Sequence, residues 1–412
     1  MKQLRYKIIS VLLILSTALL SAACGQSGSG QDNKGAADEA TAAVTQAAVT
    51  DAETQPVTEK QKEPSAETSA GSKTAETAAD TSAVDSALQE SIQAMLEEYG
   101  FAGVYRMSRD GKVVCEGANG VIGSGGEAIT LDNLFPIASI SKQFCATCIL
   151  LLRDEGKLSL DDTLDKYYPA YARGGDITLK QMLTMRSGID NYVSNDGSGF
   201  DAYIDYDFGE NASEEHNHQA VRDWIFGRPL LFEPGEGFYY SDSNYFLLAE
   251  IVQTLSGKPY GDVLRERIFD PLGMNDTGVC EELAHAEKTV PPVSDDPDGH
   301  KEIYTVGATF GNGGIITTAA DMDKWLTSLR ENTILSEKSK KEMTTVYSPE
   351  MNYGYGICIH SNGALSHEGG ADSYASFAYT DPAKKINFFI VTDNIPFLEF
   401  RELYREILLL AL

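Results

Sequence analysis

Phe135-Pro136-Ile137-Ala138-Ser139-Ile140-Ser141-Lys142 reads as a loop turning into a helix. Pro136 stands just before the turn, and Phe144, Cys145, Cys148, Ile149, Leu151 and Leu152 follow at helical spacing. Ser139 then falls in the first helical turn with Lys142 three residues on. That spacing brings two side chains onto one face, with Cβ atoms roughly 5–6 Å apart. A serine hydroxyl is a poor nucleophile until a neighbour takes its proton. A lysine one turn away can do so when burial or a second cation lowers its pKa. Ser-x-x-Lys is also a loose pattern that chance supplies as a surface serine and a solvated lysine. Its meaning rests on partners elsewhere in the chain.

Outward from this stretch, the 412 residues have room for two average domains or for one large domain with tails. Lys2, Arg5 and Lys7 precede an apolar run from Ile8 to Leu20 that ends in Ser21-Ala22-Ala23-Cys24. A basic flank, a short apolar core and small residues before a cut make residues 1–23 a signal peptide. The cysteine directly after them resembles a bacterial lipoprotein site, with Cys24 as the lipid-bearing residue; Ser21 departs from the Leu common there. Ordinary secretion with cleavage near Ala23 is the alternative. Residues 24–83 carry no aromatic side chain from Gly25 onward. Such a segment buries too little apolar surface to offset its ordering entropy, so it reads as a disordered tether with a reach of about 40 Å. The expected location is extracytoplasmic, lipid-anchored to the cell membrane.

A net charge of −28 and a pI near 4.5 argue against nucleic acid and against docking on an anionic surface. Of six cysteines, five remain beyond Cys24, and Cys145 and Cys148 lie on the apolar face of the Ser139 helix. They read as small core residues, not as metal or redox ligands. No cofactor and no metal is expected.

One compact domain is expected over 84–412. An amphipathic helix from Val84 to Tyr99 ends at Gly100, and a hairpin turns at Asp110-Gly111. The pattern is then mainly helical to about Leu329, including Thr178 to Arg186, Ala220 to Phe226 and Tyr245 to Leu255, with an irregular loop at Asn191 to Asn211. Strands return at Tyr374 to Thr380 and Ile386 to Thr392, and a helix closes from Phe397 to Leu412. The fold class is therefore α+β: an antiparallel sheet built from N- and C-terminal segments, flanked by helices, with an inserted mainly helical lobe. A site is expected in the cleft between sheet and lobe.

Two further stretches stand out. Tyr240-Ser241-Asp242 sits between the Pro234-Gly235 turn and a helix, and His367-Glu368-Gly369-Gly370 reads as a glycine-rich turn carrying one histidine. Taken singly, Tyr240 reads as a half-buried aromatic, Asp242 as a helix N-cap and His367 as a satisfied loop histidine.

Together with Ser139-Ile140-Ser141-Lys142, this ordered set resembles the serine β-lactamase and penicillin-binding protein superfamily. The resemblance is to its class C β-lactamase-like, D-alanyl-D-alanine carboxypeptidase and esterase branch. Tyr240-Ser241-Asp242 takes the place of Tyr-x-Asn, and His367-Glu368-Gly369 that of Lys-Thr-Gly. Leu158 to Asp162, Leu179 to Gly188, Phe232 to Gly235, Pro271 to Met274 and Gly313 to Trp325 follow the family's order as well. The resemblance implies a serine hydrolase with a Ser139 acyl-enzyme and Lys142 and Tyr240 acting together as the base. It places an oxyanion hole at the backbone N–H groups of Ser139 and Gly370, and substrate contacts at Asp242, His367 and Gly369. The ammonium of Lys142 is expected to favour a Tyr240 phenolate. His367 is expected either to steer a substrate carboxylate when protonated or to orient Tyr240.

Two departures bear on substrate. His367 replaces a permanent cation, which favours an ester or peptide of the cell envelope over a penicillin. Asp242 replaces a neutral amide and is expected to pair with Lys142, raise its pKa and make it a worse base. The substrate is a small molecule or peptide. The alternatives are a true β-lactamase, a non-catalytic sensor that acylates and stays trapped, and a metal hydrolase using Glu214, His216 and His218, whose residues a charged loop beside a helix explains better.

Overall fold

The computed structural model describes residues 85–122, 126–193, 214–284, 286–291, 309–371 and 373–412. The leader at 1–23, Cys24, the tether at 24–83, most of the loop expected at Asn191 to Asn211 and the Glu214 side chain lie outside the described residues.

In chain order the main elements are α1 (Ser86–Tyr99), β1 (Gly103–Arg109), β2 (Lys112–Asn119), β3 (Phe135–Pro136), α2 (Ser141–Asp154), α3 (Leu179–Leu183), α4 (Glu214–Phe226) and α5 (Asp242–Ser256). There follow α6 (Tyr260–Leu264), β4 (Gly278–Val279), β5 (Ile315–Thr317), α7 (Ala319–Glu331), α8 (Glu337–Met343), β6 (Cys358–Ile359), β7 (Leu365–Ala371), β8 (Tyr374–Asp381), β9 (Ile386–Thr392) and α9 (Phe397–Ala411). The strands form a six-stranded antiparallel sheet in the order β2-β1-β9-β8-β7-β6 and a three-stranded one, β3-β5-β4. The large sheet does join the two ends of the chain: Gly103 of β1 pairs with both Asn119 and Thr392.

Local chemistry explains the early elements. Asp85 caps α1 by accepting from Leu88 N at 3.1 Å, and Gly100 ends it at φ 64°. The hairpin turn puts Asp110 at φ 53° and Gly111 at φ 76°, the pair of positive angles that a two-residue turn between twisted strands requires.

Strand β9 is buried along its whole length. Phe388 and Ile390 face α1 and α9, packing with Leu96, Phe400 and Leu403, while Phe389 and Val391 face the helices of the lobe. That two-sided burial makes the molecule a helix–sheet–helix sandwich. Helix α2 is its inner rod, with Phe144, Ile149 and Leu150 fully buried. Trp325 of α7 stacks on Phe144 at 4.0 Å and donates to Gln143 Oε1 at 2.8 Å. Cys145 and Cys148 are free and buried in this core.

Four expectations need correction. The lobe holds the small sheet, whose two- and three-residue strands are too short to show alternation. Helix α4 begins at Glu214, not near Ala220, and α5 begins at Asp242, so Ser241 is the cap residue and Asp242 the first helical one. His367 to Gly370 form no turn; they are the body of β7.

Candidate active site

The site begins with a strained turn. Ala138 sits at φ 48°, the left-handed region, where a non-glycine residue costs about 1–2 kcal/mol. Neighbours hold it there: Ile137 N donates to Ile315 O at 3.0 Å, and Ser376 Oγ of β8 donates to Ile137 O at 2.9 Å. Ser139 therefore lies in a tight turn, Ala138 to Ile140, directly before α2, and it is the half-exposed residue of an otherwise buried run. Its N–H belongs to the first helical turn, which lacks intrahelical acceptors.

Lys142 is fully buried. Its Nζ lies 3.0 Å from Ser139 Oγ, 2.5 Å from Asp242 Oδ1 and 2.8 Å from the Asn312 carbonyl oxygen. Three acceptors match the three donors of an ammonium. Burial pushes the amine below the usual lysine range, and the Asp242 charge and hydrogen bond oppose this. The expected Lys142–Asp242 pair is present; the net direction is the reverse of that expected from it, because the desolvation of a fully buried amine outweighs one carboxylate.

The backbone of Asp242 is fixed in turn. Its N–H donates to Asn191 Oδ1 at 2.9 Å. Ser241 Oγ and Ser243 Oγ both donate to Asp190 O, at 3.1 and 2.6 Å.

Tyr240 is half-buried, its ring packed against the core and its hydroxyl buried. Lys142 Nζ stands 4.9 Å from the ring centroid. Among the described residues no partner completes a hydrogen bond of regular geometry to the hydroxyl, although Ser139 adjoins it. Burial pushes the phenol well above the tyrosine range, Asp242 adds to this, and the Ser139 hydroxyl works the other way. The expected phenolate is thus not the resting form, because burial of the hydroxyl, with the Asp242 charge beside it, disfavours the anion.

Strand β7 supplies the opposite wall. Gly369 lies against the serine turn, and Gly370 is exposed beside it. His367 is buried, with Nε2 3.1 Å from the Tyr353 hydroxyl and Nδ1 2.5 Å from Glu368 O. A carbonyl only accepts, so Nδ1 carries the proton and Nε2 accepts from Tyr353. Burial, with Lys142 nearby, lowers the imidazole to about 4. His367 is therefore neutral and packed behind Tyr240, with ring centroids 6.3 Å apart, and the protonated carboxylate-steering role is corrected. Asp242 likewise directs its carboxylate to Lys142.

The sequence reading brought Ser139, Lys142, Tyr240, Asp242, His367 and Gly369 together correctly in space. It missed Asn312, Asn191 and Tyr353. His218 packs against Phe246 and Phe310 with Nδ1 3.3 Å from Glu250, and among the described residues no three His, Cys, Asp or Glu side chains gather as metal ligands.

The beta-lactamase family model matches residues 88–411. PbpX of Bacillus subtilis (strain 168), named as a candidate penicillin-binding protein, is 30% identical over 282 residues, covering 66% of each chain, just under two thirds of its length. The D-alanyl-D-alanine-carboxypeptidase/endopeptidase AmpH of Escherichia coli (strain K12) is 24% identical over 305 residues, 66% of this chain and 74% of that one. Among solved structures, the D-amino acid amidase of Ochrobactrum anthropi SV3 in complex with L-phenylalanine amide superposes with a TM-score of 0.62 at 25% identity, covering 75% of this chain and 91% of the other.

Proposed function

The chain belongs to the beta-lactamase family, and we propose that it is a serine hydrolase that cleaves an amide or ester of D-amino-acid type through an acyl-enzyme on Ser139. One observation carries the reading: Lys142 Nζ, fully buried, stands 3.0 Å from the oxygen of a half-exposed serine at a helix start.

Burial separates the two proton carriers. It lowers Lys142 and raises Tyr240, which makes the lysine the base and the tyrosine the acid. In its free-amine form Lys142 takes the Ser139 proton as Oγ attacks the carbonyl carbon. The N–H groups of Ser139 and Gly370 receive the oxyanion. Tyr240 passes a proton to the departing amine or alcohol, and water then cleaves the ester on Ser139 with the same groups in reverse. The names of AmpH and of the D-amino acid amidase support a D-amino-acid substrate. On the leader pattern alone, we place the enzyme outside the cytoplasm, tethered through a lipid on Cys24.

The test is hydrolysis of a p-nitrophenyl ester, nitrocefin and a D-alanyl-D-alanine peptide by the wild type, Ser139→Ala and Tyr240→Phe. Ser139→Ala is expected to be silent on every substrate the wild type turns over, and Tyr240→Phe to lose at least ~10² in rate. Equal turnover by wild type and Ser139→Ala overturns the reading. Faster turnover of nitrocefin than of the peptide and ester would make the enzyme a β-lactamase instead.

A further inference from the structure

The open edge of β7 shows what kind of substrate the cleft takes. Strand β6 pairs with β7 only at Leu365 and Ser366, so among the described residues no strand covers that edge from His367 onward. An extended substrate whose carbonyl reaches Ser139 lies along this edge and meets side chains from both faces of β7. On one face are Lys142, Tyr240 and His367. On the other are Glu368 and Gly370, roofed by the start of α9.

A penicillin-type or peptide carboxylate needs a cation here, and among the described residues each nearby cation is already engaged. Arg401 grips Glu368 through Nε, 3.0 Å from both carboxylate oxygens, and through Nη2. The Tyr404 hydroxyl donates to the same carboxylate. His367 is buried with both ring nitrogens bonded, and Lys142 spends its donors on Ser139, Asp242 and Asn312. What stands beside Gly370 is aromatic. Phe397 is half-exposed, and two of its ring carbons would lie 3.0 Å from a Cβ built on Gly370. The Arg401 guanidinium lies over that ring, 5.0 Å from its centroid, and holds it in place. A carboxylate bound there would lose its water against a phenyl ring and face Glu368, on a chain of net charge −28.

We infer that the substrate group held along β7 beside Gly370 is uncharged and apolar, with Phe397 as its specificity-determining contact. The leaving group is thus a capped D-amino acid, such as an amide or ester, in place of one ending in a free carboxylate. This rests on the hydrolase reading above and narrows its substrate class.

The experiment compares kcat/KM for acetyl-D-phenylalanyl-D-alanine and its carboxamide, which share one scissile bond. Wild type is expected to prefer the carboxamide by about tenfold or more, the cost of one unmet charged contact. Phe397→Ala should narrow that ratio by slowing the carboxamide. Glu368→Gln, which releases Arg401, should accelerate the free acid selectively, and the double variant Glu368→Gln/Arg401→Met should lose this gain. Equal or faster cleavage of the free acid by wild type overturns the inference and leaves the hydrolase standing. A gain that survives in the double variant overturns the assignment of Arg401. If wild type cleaves neither peptide, nor any ester of the panel, the hydrolase reading falls and this inference with it.

Discussion

Gly369 of β7 lies against the carbonyl of Ile137 so closely that a Cβ at 369 would stand 2.2 Å from Ile137 O and 2.3 Å from Ser376 Oγ. Two parts of the site that are 230 residues apart in sequence, the strained serine turn and the strand opposite it, touch backbone to backbone here. Ser376 completes the clamp by donating to the same carbonyl. The distance between the N–H groups of Ser139 and Gly370 is therefore set by one missing methyl group.

Gly369→Ala is expected to force the strand off the turn, because the obstructing atoms are backbone and a short, bonded side chain. Overpacking of this kind costs about 1–3 kcal/mol, and a shift of about 1 Å at reacting groups costs roughly 10² in rate. Gly370→Ala, whose Cβ has the Phe397 ring as its nearest contact among the described residues, at 3.0 Å, should fall much less in kcat. Thermal unfolding and kcat for the two variants check this; equal losses at both positions would refute the clamp.

Asp242→Asn tests how the buried pair is tuned. Its carboxylate favours the Lys142 ammonium and disfavours the Tyr240 phenolate, so it raises both groups. Activity needs Lys142 deprotonated and Tyr240 protonated. Removing the charge lowers both, so both limbs of the kcat/KM profile should move to lower pH. A limb that moves to higher pH would show that the carboxylate is not the anion those groups sense.

Much of this site was legible because its chemistry is local. Ser139 and Lys142 are one helical turn apart, Tyr240 and Asp242 adjoin a helix start, and the Asp110-Gly111 turn announces itself by residue type. What escaped is what only tertiary contact creates. Gly369-Gly370 resembles a turn in sequence, and its reason for being glycine is the Ile137 carbonyl. Asn312 acts on Lys142 through its backbone oxygen, which no side chain reports. Tyr353 is one of 20 tyrosines, singled out only by the His367 nitrogen it reaches. The reversal at Lys142 was hidden for a related reason: sequence shows the acidic neighbour but not the depth of burial that outweighs it.

Asp393, directly after β9, gives a stability test independent of catalysis. It is 1% exposed, neither carboxylate oxygen has a hydrogen-bond partner among the described residues, and burial raises its pKa to about 6. The native state therefore holds a proton that the unfolded chain has lost between about pH 4 and 6, so this group's contribution to stability falls as pH rises through that window. His367 has the opposite sign. Its pKa is lowered to about 4, so the unfolded chain holds the extra proton up to about pH 6.5, and its contribution is lost as pH falls. In the wild type the two slopes largely cancel. Asp393→Asn removes one of them: it should be more stable than wild type by about 1–3 kcal/mol at pH 7.5, and that advantage should vanish near pH 4. Denaturant unfolding at the two pH values checks the difference. An advantage that stayed constant with pH would mean that Asp393 ionises normally in the folded protein.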